Sequence, residues 1–204
     1  LTAMLDITGS LKDSIASLSK ILDVKHKVLP ISEDSQLTLM GQDVDGNIIE
    51  GEAQITKSNR KFERIYYKEE PKVLDEVLDA LKEADLIIFS MGSLYTSILP
   101  NIICKEVQEV LDNTKASIMY LCNFVTQPGE TDGYTVSDHI TLLNKYLYKK
   151  KIDVVIASNT KINKSVAERY STAEQKEPVK IDYENIEKLG VELIEDDLIV
   201  LEDN

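Results

Sequence analysis

The chain has 204 residues, enough to bury one sizeable core, and its apolar residues are spread evenly enough that a single domain over 1–204 is the expectation. A formal net charge of −13 argues against a nucleic-acid partner, because a phosphate backbone would be repelled by the overall field. No apolar run approaches membrane-spanning length, so no membrane partner is expected, and Cys104 and Cys122, far apart and in apolar surroundings, read as reduced thiols of a cytoplasmic protein.

In chain order, LTAMLDI reads as the end of a helix, with an N-terminal portion expected before Leu1. Ser10 or a neighbour caps a helix in SLKDSIASLSKILDV, whose Leu11, Ile15, Leu18 and Leu22 fall on one core-facing side. LTLMGQDVDGNIIEGEAQIT carries two β-prone runs around Asp45-Gly46, the chemistry of a tight hairpin turn, continued by the strand FERIYY; this hairpin insertion spans about residues 36–67. From Pro71 onward, VLDEVLDALKEA has helical spacing and ends near Ala84. DLIIFS, SIMYLCNF and DVVIAS are short, nearly continuous apolar runs separated by helices beginning near Leu99 and Val136. Buried parallel strands covered on both faces read this way. The basic cluster of Lys145 and Lys149 to Lys151 ends a helix, where cations suit the macrodipole and solvent. VKIDYENIEKLGVELIEDDLIV closes the chain with a short helix and one or two strands. The expected fold is α/β, a Rossmann-like mostly parallel sheet flanked by helices, with the hairpin inserted.

In such sheets ligands gather at the carboxyl ends of the strands, where loops converge and helix amino termini point N–H groups into one crevice. Two loops hold that position. In MGSLYTSILPN, Gly92 lets the backbone approach a ligand, while Ser93, Thr96 and Ser97 offer hydroxyls suited to phosphate. The plainer alternative is a turn at Gly92 and a helix cap at one of those hydroxyls. In NFVTQPGETDGYTVSDHI, Asn123 and Gln127 carry amides, Glu130 and Asp132 carboxylates, and Gly129 and Gly133 bend the chain; such groups suit a sugar or base edge. Here the plainer alternative is an elaborate turn, with Ser137 or Asp138 near the helix start.

The usual catalytic and nucleotide signatures are missing: no HExxH, CxxC, G-x-x-x-x-G-K-[ST] or G-x-G-x-x-G occurs. Nothing places an activated serine beside His139, which is expected on the following helix, and His26 and Tyr66-Tyr67 read as structural. No cofactor is indicated, although Glu130 and Asp132 could share Mg²⁺ with a ligand phosphate. The central wager is that the two turns meet at one rim of the sheet and jointly line a cavity for an anionic metabolite.

GSLYTSILPN together with CNFVTQPGETDGYTVSDHI resembles the family that unites bacterial gluconeogenesis factors, which are linked to cell shape and bind UDP-sugars, with the archaeal-type 2-phospho-L-lactate transferases of deazaflavin cofactor synthesis. The similarity also takes in the Asp-Gly hairpin, DVVIAS and EKLGVELIEDDLI, and SLYTS is similar to the gluconeogenesis-factor branch. Two departures stand out. Ser90, Met91 and Gly92 replace that branch's Gly-Pro-Gly, and the family's amino-terminal half-sheet with its Gly-rich phosphate loop is not in this chain, which corresponds to the carboxy-terminal part of a larger family fold. The resemblance implies a sugar-nucleotide or other phosphometabolite ligand held by Gly92, Ser93, Leu94, Tyr95, Thr96, Ser97, Asn123, Thr126, Gln127, Gly129, Glu130, Thr131, Asp132 and Gly133, in a regulator of carbon flow. The alternatives it leaves open are a phospholactyl-type transferase, with Mg²⁺ as a helper, and a non-catalytic interaction module. Homo-oligomerisation is compatible with all three.

Overall fold

The computed structural model describes residues 1–58, 60–160 and 176–198. Four parallel strands, β4 (Leu86–Phe89), β5 (Ser117–Leu121), β6 (Val154–Ser158) and β7 (Glu192–Asp196), lie side by side in chain order. A second sheet, antiparallel, is formed by β1 (Leu39–Asp43), β2 (Ile48–Glu50) and β3 (Phe62–Tyr67), with β1 in the middle. The α/β class and the mostly parallel main sheet are as expected. The hairpin turn falls at Asp45-Gly46, and its base is held by Asp43. That carboxylate accepts hydrogen bonds from Asn47 and from the Asp45 and Asn47 N–H groups, and pairs with Arg60, which together lower its pKa to about 2.

Helices cover the parallel sheet because their apolar residues recur at helical spacing. α6 (Lys105–Asn113) buries Val107 and Leu111; α7 (Val136–Tyr146) buries Val136, Ile140 and Leu143. α7 also secures the antiparallel sheet: the Ile65 N–H of β3 donates to Tyr146 Oη at 2.8 Å, and Lys145 Nζ donates to the Glu63 carbonyl at 2.6 Å. These bonds cover the free edge of β3 at Glu63 and Ile65, and the two sheets share one core. The expected short helix and strand of the tail are α8 (Tyr183–Lys188) and β7; a second strand around Ile199 and Val200 would lie outside the described residues.

Four expectations need correction. Residues Glu52–Lys57 form a helix, α3, where the second hairpin strand was expected to continue; Gly51 at φ +94 ends the strand, and Glu, Ala, Gln and Lys favour a helix around the single buried Ile55. The next helix, α4 (Asp75–Glu83), starts after Leu74, leaving Pro71 buried and non-helical, with Asp75 and Glu76 in the first turn where the helix dipole favours acids. β4 is not covered on both faces, since Leu86 is 44% and Ile88 50% exposed: it is an edge strand with one open side. Finally, α2 (Leu11–Ile21), which follows α1 (Thr2–Thr8), has the predicted Ser10 cap, but Ser14 is its only fully buried residue and Leu22 is 70% exposed. Both cysteines are free and buried, and burial pushes their thiols up to about 12, leaving them unreactive. Among the described residues no helix is long and apolar enough to cross a membrane.

Candidate functional site

The two turns singled out above leave the same end of adjacent strands. β4 and β5 pair in parallel from Leu86 with Ser117 to Phe89 with Tyr120, so the segments after Phe89 and Leu121 emerge together. They are joined at two points. The Gly92 N–H donates to Asn123 Oδ1 at 3.2 Å, and Asn123 Nδ2 donates back to the Gly92 carbonyl at 2.9 Å. The Ser93 hydroxyl donates to Glu130 Oε2 at 2.6 Å.

After Ser93 the chain makes a π-helical turn, Leu94–Ile98, and runs into the short helix α5 (Leu99–Ile102). Ser93 is its cap: its hydroxyl oxygen accepts from the Thr96 N–H at 3.1 Å and the Thr96 hydroxyl at 2.7 Å. At Gly92 the fit is close: a Cβ there would sit 3.3 Å from the Ser97 Cβ, so a larger residue would have to displace Ser97 slightly. Leu94 and Tyr95 are buried, and Tyr95, which also lines the larger groove beside α7, meets Phe62 edge to face at 5.4 Å. Ser97 is exposed, and its hydroxyl has no hydrogen-bond partner among the described residues.

The second turn closes mostly on itself. Thr131 Oγ1 accepts from the Gln127 N–H, Asp132 Oδ2 from the Gly129 N–H, and Gln127 Nε2 donates to Glu130 Oε1 at 2.8 Å. Gly129 and Gly133 adopt φ +80 and +71, which bends the chain as the sequence implied. Thr126 is buried and bound at its base to the Glu177 N–H and carbonyl. Thr126, Glu130 and Thr131 are therefore interior supports, whereas Asn123 and Gln127 are half-buried and Asp132 and Gly133 exposed. Burial raises the Glu130 pKa above the ordinary carboxylate value, partly opposed by the Ser93 hydroxyl and the Tyr95 N–H.

The amino terminus of α7 is not the open donor site that its position suggested. Thr135 caps it in a reciprocal box with Asp138, and Asp182 accepts from the Ser137 N–H at 3.0 Å, the Ser137 hydroxyl at 2.5 Å and the Thr135 hydroxyl at 3.0 Å. Two carboxylates already occupy the positive end of this helix. The T-x-x-D spacing of Thr135 and Asp138 was the available signal for the cap, whereas Asp182, 45 residues from Ser137, had none. His139 is buried behind this cap and donates from Nδ1 to the Thr135 carbonyl at 2.8 Å; its Nε2 has no partner among the described residues, and burial lowers its pKa.

Glu130 and Asp132 do not form a paired carboxylate site for Mg²⁺, since Glu130 is buried under Ser93 and Gln127 whereas Asp132 is exposed and accepts from the Gly129 N–H. Two grooves flank the turns. One of about 390 Å³ runs along β4 from Leu29 and Val77 to Ser90, Met91, Ser97 and Asn101; the other, about 770 Å³, lies over α7 beside Tyr134. The larger groove takes lining from both turns, Tyr95 of the first and Tyr134 and Asp138 of the second, so the turns meet at one rim and share that groove through these residues and not through the hydroxyls and amides singled out above.

The motif-bearing turns thus stand where the resemblance required, and comparison with known proteins bears on the rest. The family model described as 2-phospho-L-lactate transferase CofD matches residues 1–199. The chain belongs to this family. It is 37% identical to the gluconeogenesis factor of Halalkalibacterium halodurans over 205 residues, covering all of this chain and 63% of that protein. It is 36% identical to the gluconeogenesis factor of Bacillus subtilis, covering 98% of this chain and 62% of the relative, and 40% identical to a putative gluconeogenesis factor of Thermotoga maritima, covering 92% and 59%. A crystal structure of a UPF0052 family member from Bacillus halodurans superimposes with a TM-score of 0.91 at 37% identity, over 97% of this chain and 64% of that one. This family member therefore spans about three fifths of the length of the relatives it matches.

Proposed function

We propose that this protein is a sugar-nucleotide-binding regulator of carbon flow, receiving its ligand where the turns after β4 and β5 meet. The observation that carries the reading is the pair of cross-turn ties, Ser93 to Glu130 and Gly92 to Asn123, which hold two polar turns together at the ligand-binding end of adjacent parallel strands. In this reading the Ser97 hydroxyl and the accessible edges of Gly92, Ser93 and Thr96 face phosphate oxygens. The Asn123 and Gln127 amides, with Asp132 and Gly133, face the sugar or base. The relatives' name, gluconeogenesis factor, supports a role in carbon metabolism. A cytoplasmic location and a part in cell-wall supply and cell shape belong to the same proposal.

Titration calorimetry with UDP-N-acetylglucosamine tests it. Binding is expected, and the double variant Thr96→Ala, Ser97→Ala is expected to weaken it at least about tenfold, because hydrogen bonds to a charged ligand are each worth about 1.5–3 kcal/mol. Absence of binding at millimolar ligand, or unchanged affinity in the double variant, counts against it.

The description of the matched family favours a second reading, transfer of a phospholactyl-type group from a nucleotide-diphosphate-linked donor to an acceptor hydroxyl. Such chemistry depends chiefly on positioning and charge neutralisation, which hydrogen-bonding turns supply. An assay with candidate donors and acceptors that shows no turnover removes it.

A further inference from the structure

The group that joins the two turns is also among the least accessible. Glu130 is 1% exposed, and its partners are the Ser93 hydroxyl, the Gln127 amide and the Tyr95 N–H, all uncharged and all donors. From Ser93 the bonds continue to the Thr96 N–H and hydroxyl at the rim. A carboxyl group suits this place because it accepts along two directions at each oxygen and, when ionised, donates nothing.

We infer that Glu130 is the positioning residue of the site: it locks the Ser93–Ser97 turn against Gln127 from below and does not itself touch the ligand. The inference deepens the ligand reading given above and rests on it for the word "site", but the locking is a property of the protein alone. An alanine at 130 would leave the Ser93 hydroxyl, the Gln127 amide and the Tyr95 N–H without this acceptor and would leave the Gly92–Asn123 pair as the remaining tie between the turns. A glutamine keeps the length and one carbonyl oxygen for Ser93 and Tyr95, and its amide N–H₂ is accommodated by a flip of the Gln127 amide. The two variants therefore separate loss of the tie from loss of the charge.

Charge provides a second signature. Burial already disfavours the ionised form of Glu130, and an anion at the rim disfavours it further, because like charges repel across the turn. Anion binding then favours the protonated carboxyl, so affinity falls as pH rises through the Glu130 pKa, which lies above 4.5. The glutamine variant has no such fall.

The test compares Glu130→Ala and Glu130→Gln with the wild-type chain in two measurements. Amide hydrogen exchange without ligand reports the lock, and titration with UDP-N-acetylglucosamine from about pH 4 to about pH 8, which begins below the ordinary carboxylate value, reports the site. Glu130→Ala is expected to speed exchange in both 92–97 and 127–133 and to lose affinity about tenfold or more. Glu130→Gln is expected to restore protection and most of the affinity while abolishing the pH dependence. Wild-type exchange in Glu130→Ala overturns the inference, and so does a folded Glu130→Gln as impaired as the alanine variant, which would mean that the carboxylate acts on the ligand directly. If Glu130→Ala does not fold, Ser93→Ala cuts the other end of the same tie, with the same two outcomes. Failure of the wild-type chain to bind the probe defeats the ligand reading alone, and the exchange comparison still decides whether Glu130 locks the turns.

Discussion

The junction around Glu130 and the exposed faces of α1, α2 and β4 solve opposite problems. At the junction nearly every polar group has a partner on one of two turns, and Ser93 alone takes part in three side-chain bonds. On those faces apolar side chains stay open: Ile7 and Ile21 on the helices, Leu22 at the end of α2 and Ile88 on the strand are all exposed. Directional bonds in a poorly solvated interior specify one arrangement, because each unmade bond carries a cost. Apolar periodicity specifies only that a face wants cover. The junction is consequently a determined geometry, and α2 is a well-capped helix with a half-used face.

The contrast can be broken by substitution, starting with the largest effect. Leu99→Ala, at a fully buried position in the short helix that follows the first turn, is expected to cost about 2–5 kcal/mol in urea unfolding, while Leu22→Ser, at an exposed position, should stay within about 0.5 kcal/mol. Equal costs at the two positions would erase the distinction. Next, Asn123→Ala removes both bonds to Gly92 and leaves its N–H and carbonyl unpaired; a loss of about 1–3 kcal/mol is expected, with faster exchange at the Gly92 amide. Unaltered exchange there would show that the strand pairing below, and not the amide, holds the first turn.

The third prediction concerns pH. His139 has a folded-state pKa below its ordinary 6.5, so the unfolded chain binds a proton that the folded chain refuses, and stability falls as pH drops below 6.5 toward that lowered value. The slope from this one group cannot exceed about 1.4 kcal/mol per pH unit, and His139→Leu should remove it. An unchanged slope in the variant would place the acid sensitivity elsewhere.

Much of the scaffold was legible because it depends on neighbours in sequence. Short apolar runs rich in Val and Ile became β4, β5 and β6; Asp45-Gly46 made the hairpin; Val136, Ile140 and Leu143 made the buried face of α7. Less legible was α3, where an alternating pattern concealed good helix formers, and the start of α4, where Pro71 offered a plausible first turn that the chain does not use. The candidate residues lie in the two turns that meet at one rim, but which of them are accessible there was not legible. Leu94, Tyr95, Thr126, Glu130 and Thr131 all face inward, and the helix end expected to greet an anion is occupied by Asp138 and Asp182.

By itself the amino-acid order determined the family, the α/β class, the strand and helix segments around the motifs and the polar character of the two turns, since these follow from local backbone preference and from periodicity within a few residues. Only the tertiary structure decided which donors remain free, because that depends on residues such as Ser93 and Glu130, or Ser137 and Asp182, which are 37 and 45 positions apart and meet only when the strands align. A side chain's chemistry is written in its own position; its availability is set by whatever the fold brings next to it.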